Sequence, residues 1–241
     1  MMTTWGETLS ADNVWPEYPR PQMVRTGWQN LNGYWHYAVR PQHEPQPTSW
    51  DGEILVPFCI ESALSGVRRR FEPTERLWYR RSVVVDRPDE RTIIHLGAVD
   101  HHCAIWLNGA FVGAHSGGFD AFSLDLTLFL RSGGNELVIA VDDPSSSGEQ
   151  PRGKQHLRPQ GIWYTPVTGI WQTVWLEQVP LANHIDDVRI VPTPDCNGVT
   201  VEVLLARPTR DPELAVELVV RQASAVVSST LARPDRRVLI A

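Results

Sequence analysis

The feature that most constrains this chain is a period of two. Short apolar runs alternate with polar residues, turn-forming clusters separate them, and no helical repeat of useful length occurs. Leu77 to Val85 and Arg91 to Leu96 read as strands on either side of the turn-rich Asp86-Arg87-Pro88-Asp89-Glu90. Ala104-Ile105-Trp106-Leu107 and Phe111-Val112-Gly113 flank Asn108-Gly109, a pair suited to the left-handed backbone of a type I′ turn and so to a tight hairpin. Side chains that alternate in this way line two opposite faces, which predicts an all-β fold built from sheets with one buried face.

The same grammar divides the chain. Asp125-Leu126-Thr127 before Leu128-Phe129-Leu130 predicts one short helical turn capped by Asp125 or Thr127. Gly133-Gly134-Asn135 then turns into a strand from Glu136 to Val141. Residues 142–160, rich in Asp, Pro, Ser, Gly, Gln and Arg, are expected to form a long loop, the kind of segment that often carries function. It leads into Gly161 to Glu177, where three Trp and one Tyr crowd together and the second half alternates like a strand. Large rings on an irregular loop are costly to expose, so they pack in a core, line a groove or hold a planar ligand such as the C–H face of a sugar.

A boundary is expected at Pro180 to Asn183. Beyond it Ile185 to Val191, Val199 to Leu205 and Leu214 to Val220 alternate without a single Trp, Tyr or Phe. The first domain is therefore expected over residues 1–182 and a second, smaller β unit over residues 183–241. An immunoglobulin-type sandwich needs about 100 residues and seven strands, so the second unit reads as incomplete and the chain as the front part of a longer protein.

Composition removes several classes of function. The formal charge of −6 and pI near 5.7 give no basic footprint for nucleic acid or for an anionic membrane. No apolar run approaches the roughly 20 residues of a membrane span. The N-terminus lacks the basic and apolar regions of a secretory signal, and Cys59, Cys103 and Cys196 are too few and scattered for a disulfide framework, so a reduced, cytoplasmic setting is expected. His101-His102-Cys103 has metal-ligating atoms but no second ligand pair at zinc-like spacing, so no metal site is expected. No nucleophile elbow or phosphate-binding glycine loop occurs, and neither Asp142-Asp143 nor Ser145-Ser146-Ser147 marks a catalytic centre; the acids read as solvated or capping and the serines as solvated linker. Trp35, Trp78, Trp106, Trp171 and Trp175 are expected on strands, in the core. Read on their own, the residues support a ligand-binding β domain.

An ordered series of segments resembles the N-terminal sugar-binding domain of glycoside hydrolase family 2. It runs from Asn30-Leu31-Asn32-Gly33-Tyr34-Trp35 through Ile54-Leu55-Val56-Pro57-Phe58 with Glu61-Ser62, then Trp78-Tyr79-Arg80-Arg81. Leu96-Gly97-Ala98-Val99-Asp100, Trp106-Leu107-Asn108-Gly109, Gly117-Gly118-Phe119, Gly134-Asn135-Glu136-Leu137 and Gly169-Ile170-Trp171 to Glu177 continue it. The resemblance implies a jelly-roll β-sandwich (galactose-binding-domain-like), a partial immunoglobulin-like β-sandwich from Asn183, and a TIM-barrel catalytic domain beyond Ala241. It also implies a retaining exo-glycosidase of the β-galactosidase type that uses two barrel glutamates about 5–5.5 Å apart, so neither the acid/base nor the nucleophile is expected within this chain.

The partners implied are a terminal sugar and the chain's own barrel domain, with a homo-oligomer of the complete enzyme compatible and no cofactor needed. The jelly roll's contribution to sugar binding falls by position on residues 142–168. Trp163 or Tyr164 is expected to stack on the sugar, Lys154 and Gln155 to supply polar contacts, and Arg152 and Asp142 to add to them. Trp163 stands where the family's galactosidases and glucuronidases typically carry a substrate-contacting Asp, six residues before Gly169. The alternative is a free-standing carbohydrate-binding module without hydrolase activity.

Overall fold

The computed structural model of the protein describes residues 3–85, 89–209, 211, 213–233, 235 and 237–240, the last four by their backbone. Asp86-Arg87-Pro88, the first part of the expected turn, and Ala241 lie outside the described residues. The chain forms two compact units, Met1–Glu17 with Gly27–Gln178, and Tyr18–Thr26 with Val179–Ala241. The division thus falls a few residues before the expected boundary, and a short N-terminal segment belongs with the second unit.

The first unit is a jelly-roll sandwich. One sheet has six strands in the order β3-β2-β4-β10-β7-β8, which are Gly52–Val56, Gly33–Pro41, Glu75–Val84, Gly134–Asp142, His102–Leu107 and Ala110–Ser116. The facing sheet has the order β1-β12-β5-β9, from Trp28–Asn30, Val174–Val179, Arg91–Leu96 and Phe122–Asp125. Trp35, Ile54, Leu77, Tyr79, Ile105 and Ile139 from one sheet meet Ile94, Leu96, Val174 and Leu176 from the other in one continuous core. Period-two alternation delivers these side chains to one face, and enclosing each large one contributes about 1.5–3 kcal/mol.

The expected hairpin is present. Asn108 (φ 54) and Gly109 (φ 81) join β7 to β8 in the left-handed backbone that a type I′ turn requires. The Asn108 side chain then ties the turn down, donating to Phe129 O (2.9 Å) and Asn135 Oδ1 (2.8 Å) and accepting from Glu136 N (3.0 Å). The expected helical turn is the 3₁₀ segment Thr127–Phe129, with Asp125 Oδ1 accepting from the Thr127 backbone at 2.9 Å.

Three of the tryptophans expected in the core are buried: Trp35, Trp78 and Trp175. Trp78 does not join the main core. It packs with Ala38, Val138, Ala140, Trp50 and the half-buried Trp106 in a separate cluster, where Arg76 and Arg80 lie over the Trp78 and Trp50 rings. Trp171 departs further from expectation, because it sits on the irregular link before β12 and is only half-buried.

The second unit holds a three-stranded sheet, β13-β14-β17, made of Ile185–Pro192, Val199–Leu205 and Arg237–Ile240. A separate hairpin pairs β15 (Val216–Gln222) with β16 (Ala225–Ala232), the latter absent from the sequence reading. Its N-terminal segment is held by side chains, with Arg20 donating to Asp186 O (3.3 Å), Gln22 to Asp187 Oδ1 (3.1 Å) and Arg25 to Ile185 O.

Candidate functional site

The long loop, residues 143–168, leaves β10 and returns to β11 (Gly169–Ile170), which pairs with β6 (Val99–Asp100) in the register Gly169↔Asp100 and Ile170↔Val99. This two-residue ladder fixes the end of the loop beside a buried carboxylate. Gly169 permits it: its φ is +94°, and a Cβ there would lie 2.0 Å from the Tyr79 hydroxyl, which itself accepts from Ile170 N at 3.2 Å. No other residue fits so close to the sheet.

A pocket of about 240 Å³ opens at this junction, lined by Asp100, Phe119, Arg152, Gly153, Lys154, Gln155, Val167 and Trp171. That volume lies below the usual span for drug-sized ligands and suits a small ligand such as one sugar ring. Trp171 and Phe119 form an aromatic wall, edge to face with centroids 6.3 Å apart, and Trp171 is oriented by its indole N–H donating to Gly118 O at 2.8 Å. Asp100, 4% exposed, supplies the carboxylate. Gly118 makes room for it, since a Cβ there would fall 2.5 Å from Asp100 Oδ1.

Gln155 links these parts, donating from Nε2 to Asp100 Oδ2 at 2.9 Å and accepting at Oε1 from Val167 N at 2.6 Å. Around it the two arms of the loop pair like short strands, with Tyr164 N donating to Lys154 O (2.9 Å) and His156 N to Tyr164 O (3.0 Å). Lys154 is exposed, its ammonium 6.0 Å from the centre of the Tyr164 ring, and Arg152 donates to Ser146 O.

Two more carboxylates are coupled to Asp100, the buried Asp143 and, beyond it, the half-buried Glu61. Asp143 accepts from Ser145 N (2.6 Å) and Thr168 Oγ1 (2.5 Å), and Glu61 Oε2 accepts from Thr168 N at 3.0 Å. Glu61 Oε1 is buried without a hydrogen-bond partner. Burial pushes Glu61 up to about 7 and Asp100 up to about 6, in each case with the Asp143 charge adding to the effect, while for Asp100 the hydrogen bond from Gln155 opposes it. Asp143 is also raised, by burial first, with hydrogen bonds from Thr168 and Ser145 and the charge of His101 pulling the other way.

Of the six residues expected to contact the sugar, three line the pocket and three do not. Lys154, Gln155 and Arg152 do line the pocket. Asp142 does not: its carboxylate forms a two-pronged ion pair with Arg76 (2.8 and 2.7 Å), which turns it away to the sheet. Trp163 and Tyr164 are also outside the pocket lining, at 38% and 65% exposure, with Trp163 against His156. The rings at the pocket are instead Trp171 and Phe119. Asp143, read as solvated or capping, is buried and caps Ser145 N, and Ser145, read as solvated linker, is buried. The one signal that could have exposed Asp100 and Glu61 was an acidic residue closing an otherwise apolar run.

No group of three His, Cys, Asp or Glu able to hold a metal occurs among the described residues. In the His101-His102-Cys103 run, burial pushes the Cys103 thiol up to about 12.

Residues 56–180 match the family described as Glycosyl hydrolases family 2, sugar binding domain. A putative beta-glucuronidase of Formosa agariphila is 28% identical over 129 residues, which is 53% of this chain and 15% of that protein. A beta-galactosidase of Thermoanaerobacter pseudethanolicus is 33% identical over 116 residues, 47% of this chain and 15% of its own length. A beta-glucuronidase of Paenibacillus borealis is matched over 24% of its length, so the chain spans a quarter or less of these relatives. Among solved structures, a beta-glucuronidase of an uncultured Clostridium species superposes with a TM-score of 0.63 at 23% identity, covering 90% of this chain and 40% of that one. A beta-glucuronidase of Ruminococcus gnavus in complex with D-glucaro-d-lactam gives 0.65 at 15% identity, over 91% and 40%. Likeness at that identity speaks for the fold, whereas the family match covers more than half of the residues. The chain therefore belongs to glycoside hydrolase family 2 and carries the family's sugar-binding domain.

Proposed function

We propose that the pocket between Asp100 and Trp171 holds the terminal sugar of a glycoside, and that the chain acts as the sugar-positioning part of a retaining exo-glycosidase. The observation that carries this reading is the pairing of an aromatic wall with a buried carboxylate in a cavity sized for one ring. A sugar is amphipathic in the same way: its C–H face packs on indole, and its hydroxyls donate to a carboxylate and exchange hydrogen bonds with an amide. Lys154 and Arg152 give the rim a positive edge that suits the electron-rich oxygens of a glycoside. The chain matches a quarter or less of the length of its curated relatives, and the remainder of such an enzyme would supply the two glutamates that cleave the bond. The second unit is the start of the immunoglobulin-like domain, and the reduced cysteines fit a cytoplasmic setting.

The test is a titration of the chain with phenyl β-D-glucuronide and phenyl β-D-galactoside, followed by Trp fluorescence in the parent and in Trp171→Ala. Saturable binding by the parent that Trp171→Ala abolishes supports the reading. Binding that survives Trp171→Ala and is lost in Trp163→Ala places the sugar elsewhere and overturns it.

A further inference from the structure

We propose that Gln155 is a positioning residue: its side-chain amide locks the long loop to the pocket and holds the Asp100 carboxylate in place, an inference that rests on the pocket being the sugar site. An amide is the side chain of this reach that offers a donor and an acceptor at once. Both are used, Nε2 toward Asp100 and Oε1 toward the Val167 backbone (2.9 and 2.6 Å). Through the chain these two contacts close a circuit. Val167 leads in two residues to Gly169, Gly169 pairs with Asp100 across the β6–β11 ladder, and Asp100 returns to Gln155. The backbone of residue 155 joins the same circuit through its bridge to Tyr164. Gln155 is thus tied to both arms of the loop and to the buried acid, and no other hydrogen bond described for Asp100 comes from a side chain.

The charge setting makes the amide specific. Asp100 faces the like charge of Asp143, which His101 partly offsets, while Lys154 and Arg152 line the same pocket and Arg152 is engaged with Ser146 O. Gly118 packs close to the carboxylate on the other side, where a Cβ would fall 2.5 Å from Asp100 Oδ1. A glutamate at position 155 has the same shape and still accepts from Val167 N–H, but it sets a second carboxylate at hydrogen-bond distance from Asp100. Two acids so close share one proton at low pH and repel once both ionise.

The experiment compares Gln155→Glu, Gln155→Leu and the exchange variant Gln155→Glu/Asp100→Asn, in which donor and carboxylate trade places. Amide exchange at Val167 and Tyr164, corrected for intrinsic rates, is read at pH 5 and pH 8 without any sugar. The positioning role requires that Gln155→Glu match the parent at pH 5 and exchange about tenfold faster or more at pH 8. It also requires that Gln155→Leu exchange faster at both values and that the exchange variant regain parental protection at pH 8. Unchanged protection of Gln155→Glu at pH 8, an equal loss at both values, or no recovery in the exchange variant overturns it, since a packing role alone is blind to where the charge sits. Should Gln155→Glu unfold at pH 8, near-ultraviolet circular dichroism of its return at pH 5 and of the exchange variant carries the same comparison.

A parallel titration with phenyl β-D-glucuronide and phenyl β-D-galactoside separates the two readings. If the parent binds neither sugar while exchange moves as required, the pocket's function falls and the bracket stands. If the parent binds and exchange does not move, the bracket falls alone.

Discussion

The two units enclose different interiors with the same alternating strands. In the first, Trp35, Tyr79, Ile94, Leu107 and their neighbours form a continuous core across two sheets. In the second, the enclosed apolar residues among those described are Val201, Val203, Leu205 and Val216, and the hairpin strand Ala225–Ala232 leaves Val226, Val227 and Leu231 largely exposed. Alternation is enough to make strands, but the volume of the inward side chain decides how rigid a platform they give. The pocket stands on the first unit, where a two-residue ladder and a glycine with no spare room can be held to fractions of an ångström.

The largest expected effect tests that contrast directly. Trp35→Ala should cost about 3–5 kcal/mol of unfolding free energy, as removal of an enclosed large ring does. Val203→Ala should cost about 1.5 kcal/mol, the value of two buried methyl groups. All ten tryptophans lie in the first unit, so Trp fluorescence reports it alone while far-ultraviolet circular dichroism reports both. Denaturant unfolding followed by the two probes separates the costs. Equal costs for the two substitutions would break the comparison.

Next in size is a pH effect confined to the first unit. The folded Glu61 carboxyl sits at about 7 through burial, above its ordinary range near 4.5. The folded state therefore binds a proton that the unfolded chain has already released. Stability from this group is whole below about pH 4.5 and drains away as pH rises to 7, an amount on the order of 3 kcal/mol. The difference in unfolding free energy between parent and Glu61→Gln, measured from pH 4.5 to 7.5, should fall in that direction. A parent that gains stability relative to Glu61→Gln over this range contradicts the buried, raised carboxyl.

Much of the sheet framework was legible because its signals are local. Asn108-Gly109 demands a particular backbone, and the strands read at Leu77 to Val85 and Glu136 to Val141 show in their apolar runs. The pocket was less legible because its parts are brought together by tertiary contacts. Lys154, Gln155 and Arg152 could be found on a loop between motifs, but Asp100 and Glu61 look like ordinary chain polarity until the loop folds over them. Trp171 and Trp163 are both tryptophans in the same ring-rich segment. Only the ladder at Gly169 and the hydrogen bond to Gly118 O decide that Trp171 faces the pocket while Trp163 lies outside its lining. Asp142 and Asp143 are neighbours in sequence, yet Arg76 takes one to the sheet and Thr168 takes the other inward.

The smallest effects should appear in sugar binding, and they should be blind to the second unit. Ionised Asp100 accepts stronger, charge-assisted hydrogen bonds from sugar hydroxyls than its neutral form. Burial holds it at about 6, so affinity for phenyl β-D-glucuronide or phenyl β-D-galactoside should rise as pH passes from 5 to 7, by about tenfold, or 1.4 kcal/mol. Asp100→Asn should flatten that profile, and Val203→Ala should leave it unchanged. Lys154 is exposed, and contacts of a solvated cation are worth about 1 kcal/mol or less, so Lys154→Met should weaken binding by no more than about fivefold. Fluorescence titrations across pH rank the three variants. A flat parental profile, or a loss in Val203→Ala equal to that in Asp100→Asn, would mean that the rigid unit does not own the site.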